Sequence, residues 1–309
     1  MTAEQRPKLG LALGSGAAKG WAHIGVIKAL EALGIRPDIV AGCSVGSLVG
    51  AAYCAGHLDQ MEGWVRGFSR LEVMSLLDPS LNGRGLFHGE KVFNVVRGRM
   101  QDRDIRDLPI PFAAVATDLD SGREIWLQEG DVTQAIRASC GMPGLFVPVR
   151  HNGHLLVDGA VVNPVPVSLC RAMGADVVIA VNLTGDVPGH IPTEVEEEVV
   201  EDAGYFRQWF NKLRPEGKDD REELPSMWNV MSGAINIMQE RITRARLAGD
   251  PPEVELKPRL SDINIMEFYR AGEAIAEGEA CVQRMADYIL AELQYLGVAT
   301  GQGPEAKEA

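Results

Sequence analysis

Apolar residues first gather at Lys8–Leu13 (KLGLAL), a run short enough for a buried strand. They then recur at helical spacing at Ile24, Ile27, Leu30 and Leu33 until Gly34 ends the pattern. Between the two lie the small residues Gly14 to Gly20, so the chain opens as strand, loop and helix. A second unit of the same kind follows, with a strand at Ile39–Ala41 turning sharply into a helix that runs to about Ala55. Further apolar strands are expected at Phe112–Thr117 and Asp176–Leu183, between helical segments. Strands alternating with helices predict an α/β protein whose parallel sheet is covered by helices. Asp120-Ser-Gly-Arg and His151-Asn-Gly-His read as hairpin turns that add antiparallel ribbons. The second carries the Asn-Gly pair favoured where both central residues need positive φ.

The pattern changes after residue 185. Seven acids and no Lys or Arg fall between Asp186 and Asp202, and dense charge with Pro215 and Gly217 continues to about Glu223. The chain therefore divides into a polar tail at 1–7, a core at 8–185, an acidic excursion or mobile lid at 186–225, a helical segment at 226–299 that completes the same domain, and a polar tail at 300–309. In the helical segment Met227, Trp228, Met231, Ile235, Met238 and Ile242 form an apolar stripe with Arg241, Arg244 and Arg246 at its end. Core packing is the expectation for that stripe, with contact to a lipid surface as the second reading. Ile39–Leu58 is uncharged and long enough to span a bilayer, and Gly42, Gly46 and Gly50 have the spacing of packed membrane helices. Its glycines, serines and histidine dilute the hydrophobicity, and its strand-like start favours strand, turn and helix instead.

Composition narrows the function classes. With 43 acids against 30 bases the net charge is −13, the wrong sign for neutralising phosphates along a nucleic acid. The five cysteines are scattered and form no C-x-x-C pair, which argues against a disulfide framework or a zinc site and for a reducing compartment. Met1 to Pro7 lacks the basic and apolar regions of a secretory signal, so a cytoplasmic location is expected.

The sharpest chemical signal is Gly42-Cys43-Ser44-Val45-Gly46, a G-x-S-x-G where an apolar strand meets a helix. A serine projected from so tight a turn crowds the residues two before and two after it, hence Gly42 and Gly46, and the new helix turns its positive end to the hydroxyl oxygen. Ser44 is the candidate nucleophile; Cys43, at the inward-facing position of the motif, is not. A glycine turn needed only for helix-on-sheet packing is the alternative. The second signal, Gly14-Ser15-Gly16-Ala17-Ala18-Lys19-Gly20, exposes backbone N–H groups at a strand-to-helix loop where an anion can sit. It fails the dinucleotide pattern at Ala17 to Lys19 and the Walker pattern because Lys19 precedes Gly20. An oxyanion hole with donors around Gly16 and Ala17, and positive charge from Lys19, suits it better. Among the six histidines none has a triad-like setting, and only His190 lies well beyond the elbow and the acid. Leu155-Leu-Val-Asp158-Gly159-Ala160 instead ends an apolar strand with an aspartate able to face a neighbouring strand's end, unless it only caps a turn.

Together these three pieces resemble the patatin-like phospholipase family, which carries a glycine-rich oxyanion loop, G-x-S-x-G and a later D-G-[GA]. The resemblance covers most of the chain and weakens across Asp186 to Glu223. It implies a three-layer α/β/α domain with a mainly parallel sheet, and a serine acyl hydrolase without metal or cofactor. Its catalytic serine and aspartate fall on Ser44 and Asp158, its oxyanion loop falls on Ser15 to Gly20 with Ser15 and Ala17 in place of two glycines, and Gly159 supports the aspartate. The implied partner is a lipid or fatty-acyl ester, phospholipids included, met by peripheral contact with the inner membrane surface. An aspartate titrating near 4 is a weak base, so the oxyanion hole must supply more of the rate, and no activity limb should belong to a histidine. Three alternatives stand beside this reading: an esterase with His154 or His190 as base, a lipid- or protein-binding regulator on the same fold, and a nucleotide-binding module at Gly14 to Gly20.

Overall fold

In the computed structural model, which describes residues 6–76, 78–80, 86–100, 103–185 and 227–301, the opening apolar run becomes β1 (Leu9–Leu13) and the periodic segment after it becomes α1 (Ala22–Ala32). Gly34 stops this helix with φ +74°, a conformation that suits glycine. The next unit is β2 (Ile39–Cys43) and α2 (Val45–Cys54), followed by α3 (Leu58–Arg66), α4 (Arg70–Leu76) and α5 (Glu90–Met100). Then come β3 (Phe112–Asp118), β4 (Glu124–Leu127), α6 (Val132–Ser139), β5 (Val149–His151), β6 (His154–Asp158), α7 (Val167–Ala172) and β7 (Val177–Val181). The described chain ends with α8 (Met227–Gly249), β8 (Val254–Leu256) and α9 (Ala271–Tyr295). Two units are distinguished, residues up to 186 together with those from 238 onward, and residues 187–237, of which only 227–237 at the start of α8 are described. The excursion expected at 186–225 lies outside the described residues, as do 1–5 and 302–309 of the expected tails.

The first unit holds an eight-stranded sheet in the order β5-β6-β3-β2-β1-β7-β8, with β4 paired to β3. The run from β3 to β8 is parallel, and β4, β5 and β6 add the antiparallel ribbons. Alternation along each strand sorts the side chains onto two faces. Leu9, Leu11, Leu13, Val40, Ala114 and Ile179 join a core with residues of α1, α2, α6 and α9, whereas Ala12, Ala41, Ala113 and Ala180 meet α7 on the other side. These two cores make the three layers. Small residues on the second face bring α7 close: a Cβ on Gly10 would lie 3.0 Å from that of Cys170. On the first face α1 and α9 cross with backbones in contact, since a Cβ on Gly25 would reach within 1.9 Å of the Ile275 carbonyl and one on Gly278 within 2.1 Å of that of Ala22. The turn between β5 and β6 has positive φ at both Asn152 (48°) and Gly153 (85°), as the Asn-Gly pair implies.

Ile39–Leu58 is strand, turn and helix, and among the described residues no helix is long and apolar enough to cross a membrane. Two expectations for the C-terminal part need correction. The segment taken as helical contains β8, which pairs in parallel with β7 at Ile179–Val254, Ala180–Glu255 and Val181–Leu256. Three residues between prolines are too few to display alternation, and only the sheet edge makes them a strand. In the described C-terminal part of the α8 stripe the apolar positions are not the buried ones either: Met238 is 55% exposed and Ile242 half-buried, while Thr243 is buried and Leu247 packs against the α7 core. Arg246 also turns inward, donating to Glu124 on β4 at 2.6 Å, and this contact sets the face that the helix presents.

Candidate active site

The site forms because two strands end one residue apart on β3. Cys43, the last residue of β2, pairs with Val115, and Asp158, the last of β6, pairs with Ala116. β2 runs parallel to β3 and β6 antiparallel, so the turns beyond them meet over the same stretch of sheet. Ser44 occupies the first turn with φ 54° and ψ −128°, in the region that penalises every residue with a Cβ. Both flanking glycines are required by backbone contact: a Cβ on Gly42 would lie 2.4 Å from Ser47 Cα, and one on Gly46 would lie 2.3 Å from the Leu13 carbonyl oxygen. Cys43 is fully buried, and burial pushes its thiol well above the ordinary range, in keeping with an inward structural role.

The Ser44 hydroxyl donates to Asp158 Oδ2 at 2.7 Å, and the other carboxylate oxygen accepts the Ala160 N–H at 2.8 Å. Asp158 therefore caps the short turn at Gly159–Val161 and faces the serine at once. Gly159 follows it because a Cβ there would come within 2.3 Å of the Val115 carbonyl oxygen. Both residues are nearly sealed from solvent, Ser44 at 6% and Asp158 at 3% exposure. Burial pushes the Asp158 carboxyl up to about 6, against the pull of the Ala160 N–H and the Ser44 hydroxyl. This corrects the expectation of an ordinary carboxylate titrating near 4: desolvation makes Asp158 a stronger base than its residue type suggests.

The glycine-rich loop lies alongside. Gly14 and Ser15 commit their N–H groups to the carbonyls of Val181 (3.0 Å) and Pro164 (2.8 Å). The N–H groups of Gly16 and Ala17 follow at the start of a single 3-10 turn, Ala17–Trp21, with no hydrogen bond to another described residue. Ala17 has φ 48°, where a glycine would carry no steric cost. Ser15 is buried with its hydroxyl unpartnered, and Lys19 is half-buried in the same turn. The loop touches the elbow directly, since a Cβ on Gly46 would lie 2.6 Å from the Gly14 carbonyl oxygen and one on Gly20 would overlap the Val45 side chain at 2.0 Å.

Of the two histidines offered as alternative bases, His154 does not join this group. His154 sits 53% exposed at the far end of β6, bonded through Nδ1 to Asp118 at 3.1 Å, and His190 lies outside the described residues. Four residues that the sequence did not single out do join it. Ser139, at the end of α6, accepts the Ser44 N–H through its hydroxyl at 2.9 Å from 95 positions away. Thr117 donates to the Asp158 carbonyl at 2.8 Å, and the Gly141 carbonyl accepts the Asp158 N–H at 3.0 Å. The Ser139–Gly141 segment thus holds both members of the pair. Ser139→Ala leaves a buried N–H without an acceptor, and a loss of about 1–3 kcal/mol is expected, read as a fall of several degrees in Tm; a change below one degree would show that the elbow does not depend on this bond. The fourth residue is His23, which contacts the Gly14 carbonyl.

The model of the patatin-like phospholipase family matches residues 11–171, a span that contains the loop, the elbow and Asp158. An NTE family protein of Mycobacterium tuberculosis is 34% identical over 330 aligned positions, covering 89% of this chain and 90% of that protein. The human patatin-like phospholipase domain-containing protein 6 is 31% identical over 231 positions, which cover 72% of this chain and 16% of the far longer relative. Among solved structures, VipD from Legionella pneumophila superimposes with a TM-score of 0.54 over 93% of this chain and 67% of its own, at 13% identity, a likeness of fold. The chain belongs to the patatin-like phospholipase family.

Proposed function

We propose that this chain is a serine acyl hydrolase of fatty-acyl lipid esters, phospholipids included, working through Ser44 and Asp158. The observation that carries the reading is the 2.7 Å bond from the strained Ser44 hydroxyl to a buried carboxylate. In the proposed cycle Asp158 takes the hydroxyl proton as Ser44 Oγ attacks the ester carbonyl. The carbonyl oxygen becomes an oxyanion that the Gly16 and Ala17 N–H groups receive. The ester C–O bond then breaks, Asp158 returns the proton to the departing alcohol, and an acyl-Ser44 remains. Water gives a proton to Asp158 and attacks the acyl carbon; Ser44 Oγ leaves with that proton and the fatty acid departs. The proton moves only between groups that the 2.7 Å Ser44–Asp158 bond already joins, and the substrate is met by peripheral contact with a lipid surface on the cytoplasmic side.

Intact-mass analysis after a fluorophosphonate probe, beside hydrolysis of a short-chain p-nitrophenyl ester, tests the reading. The expected result is one adduct on Ser44 and steady turnover, with His154→Ala retaining wild-type rates. A folded wild type that neither labels nor turns over removes the proposal, and a His154→Ala variant that folds but is inactive removes the two-residue mechanism.

A further inference from the structure

The oxyanion loop begins at Gly14, and the peptide bond from Gly14 to Ser15 sets the direction of the N–H groups that follow. Glycine has no Cβ to resist rotation, so this peptide needs an external hold. Its N–H end is held by the Pro164 carbonyl at 2.8 Å. Its carbonyl end is held by His23, whose Nε2 lies 2.7 Å from the Gly14 oxygen. His23 stands in the first turn of α1 with no exposure to solvent, and its Nδ1 has no partner. A carbonyl only accepts, so the hydrogen is on Nε2 and Nδ1 is bare. The same Gly14 oxygen closes against Gly46 in the first turn of α2, the helix that Ser44 opens. The contact from His23 therefore lies one residue from the nucleophile's helix and two from the first oxyanion donor.

We infer that His23 is a positioning residue for this reaction: its Nε2–H pins the Gly14 carbonyl and keeps the Gly16 and Ala17 N–H groups turned toward the developing oxyanion. The inference rests on the acyl-hydrolase reading. His23 exchanges no proton with substrate or with Ser44. Burial pulls its imidazole down to about 4, the bond to Gly14 opposing, so the ring stays neutral at the pH of the reaction. A flipped peptide at Gly14 would lose the Pro164 and His23 bonds together, and the histidine makes that flip unfavourable in a loop otherwise built of small residues.

Three variants test it, His23→Gln, His23→Asn and His23→Leu. The terminal amide nitrogen of glutamine reaches the place of Nε2, that of asparagine the place of Nδ1, and leucine donates nothing. The rate of phosphonylation, kcat and KM are measured per labellable Ser44, beside Tm. His23→Asn and His23→Leu are expected to lower kcat and the phosphonylation rate by about 10- to 100-fold with KM changed less than about threefold, because a misplaced oxyanion donor costs the transition state and not ground-state binding. His23→Gln is expected to stay within about threefold of wild type. If leucine does not fold, the glutamine and asparagine pair carries the same comparison. Equal rates per labelled site in wild type, Gln and Asn overturn the inference while leaving the hydrolase intact, and so does a Gln variant as slow as Asn. A wild type with no labelling overturns the hydrolase reading itself, and this role with it.

Discussion

Replacing Asp158 with asparagine is expected to abolish turnover while making the protein harder to unfold. The amide still accepts the Ala160 N–H and donates toward Ser44, so the geometry survives, but it takes no proton; kcat should fall by about 10³-fold or more. The gain in stability comes from desolvation. The carboxyl titrates near 4 in an unfolded chain and near 6 in the folded one, so between these values the folded state binds more protons. Stability from this group is therefore fully present below pH 4 and is lost as the pH rises through 6. At neutral pH the buried carboxylate costs on the order of 2–3 kcal/mol, which asparagine removes. Tm at pH 7 should rise by about 5 °C, and the difference from wild type should shrink at pH 5 and vanish below pH 4. A variant less stable than wild type at pH 7 would show that the site solvates the charge well. The same titration sets the activity profile: wild-type kcat/KM should fall on the acid side with a midpoint near 6. The limb sits where a histidine titrates but belongs to Asp158, and it should be unmoved by His154→Ala.

The second large effect is expected at Ser44, where the proposed nucleophile and the strained backbone coincide. Both Ser44→Ala and Ser44→Gly should lose phosphonate labelling and reduce turnover by about 10⁴-fold or more. They should differ in stability. Both remove the hydroxyl and leave Asp158 Oδ2 facing the same gap, so their difference isolates the backbone. At φ 54° and ψ −128° alanine keeps the steric penalty and glycine relieves it, and glycine should unfold higher by about 1–2 kcal/mol, or several degrees. Glycine also gives up more chain entropy on folding, so equal Tm values for the two variants would mean that the elbow stores no more strain than the about 0.4–1 kcal/mol of that cost. Taken with Asp158→Asn, the expectation is that the two residues proposed to carry the chemistry are each held in states that the fold itself would not choose.

The sequence alone determined a good deal here because its signals are local. Short continuous apolar runs placed β1, β2, β3 and β7 within a residue or two, Gly34 marked the end of α1, and Asn152-Gly153 named its own turn. The G-x-S-x-G and Asp-Gly pairs were legible because each glycine answers a contact between backbones that no other residue allows. What the sequence did not carry depends on partners far along the chain. Ser139, Thr117 and His23 look like ordinary helix and strand residues until α6, β3 and the Gly14 loop converge on the elbow. β8 is a strand only because β7 offers an unpaired edge, and α8 turns Arg246 rather than Met238 inward because Glu124 waits on β4. Residue type suggested a weak base at Asp158; the layers packed around it decided a stronger one, since desolvation belongs to the assembled core and not to the residue.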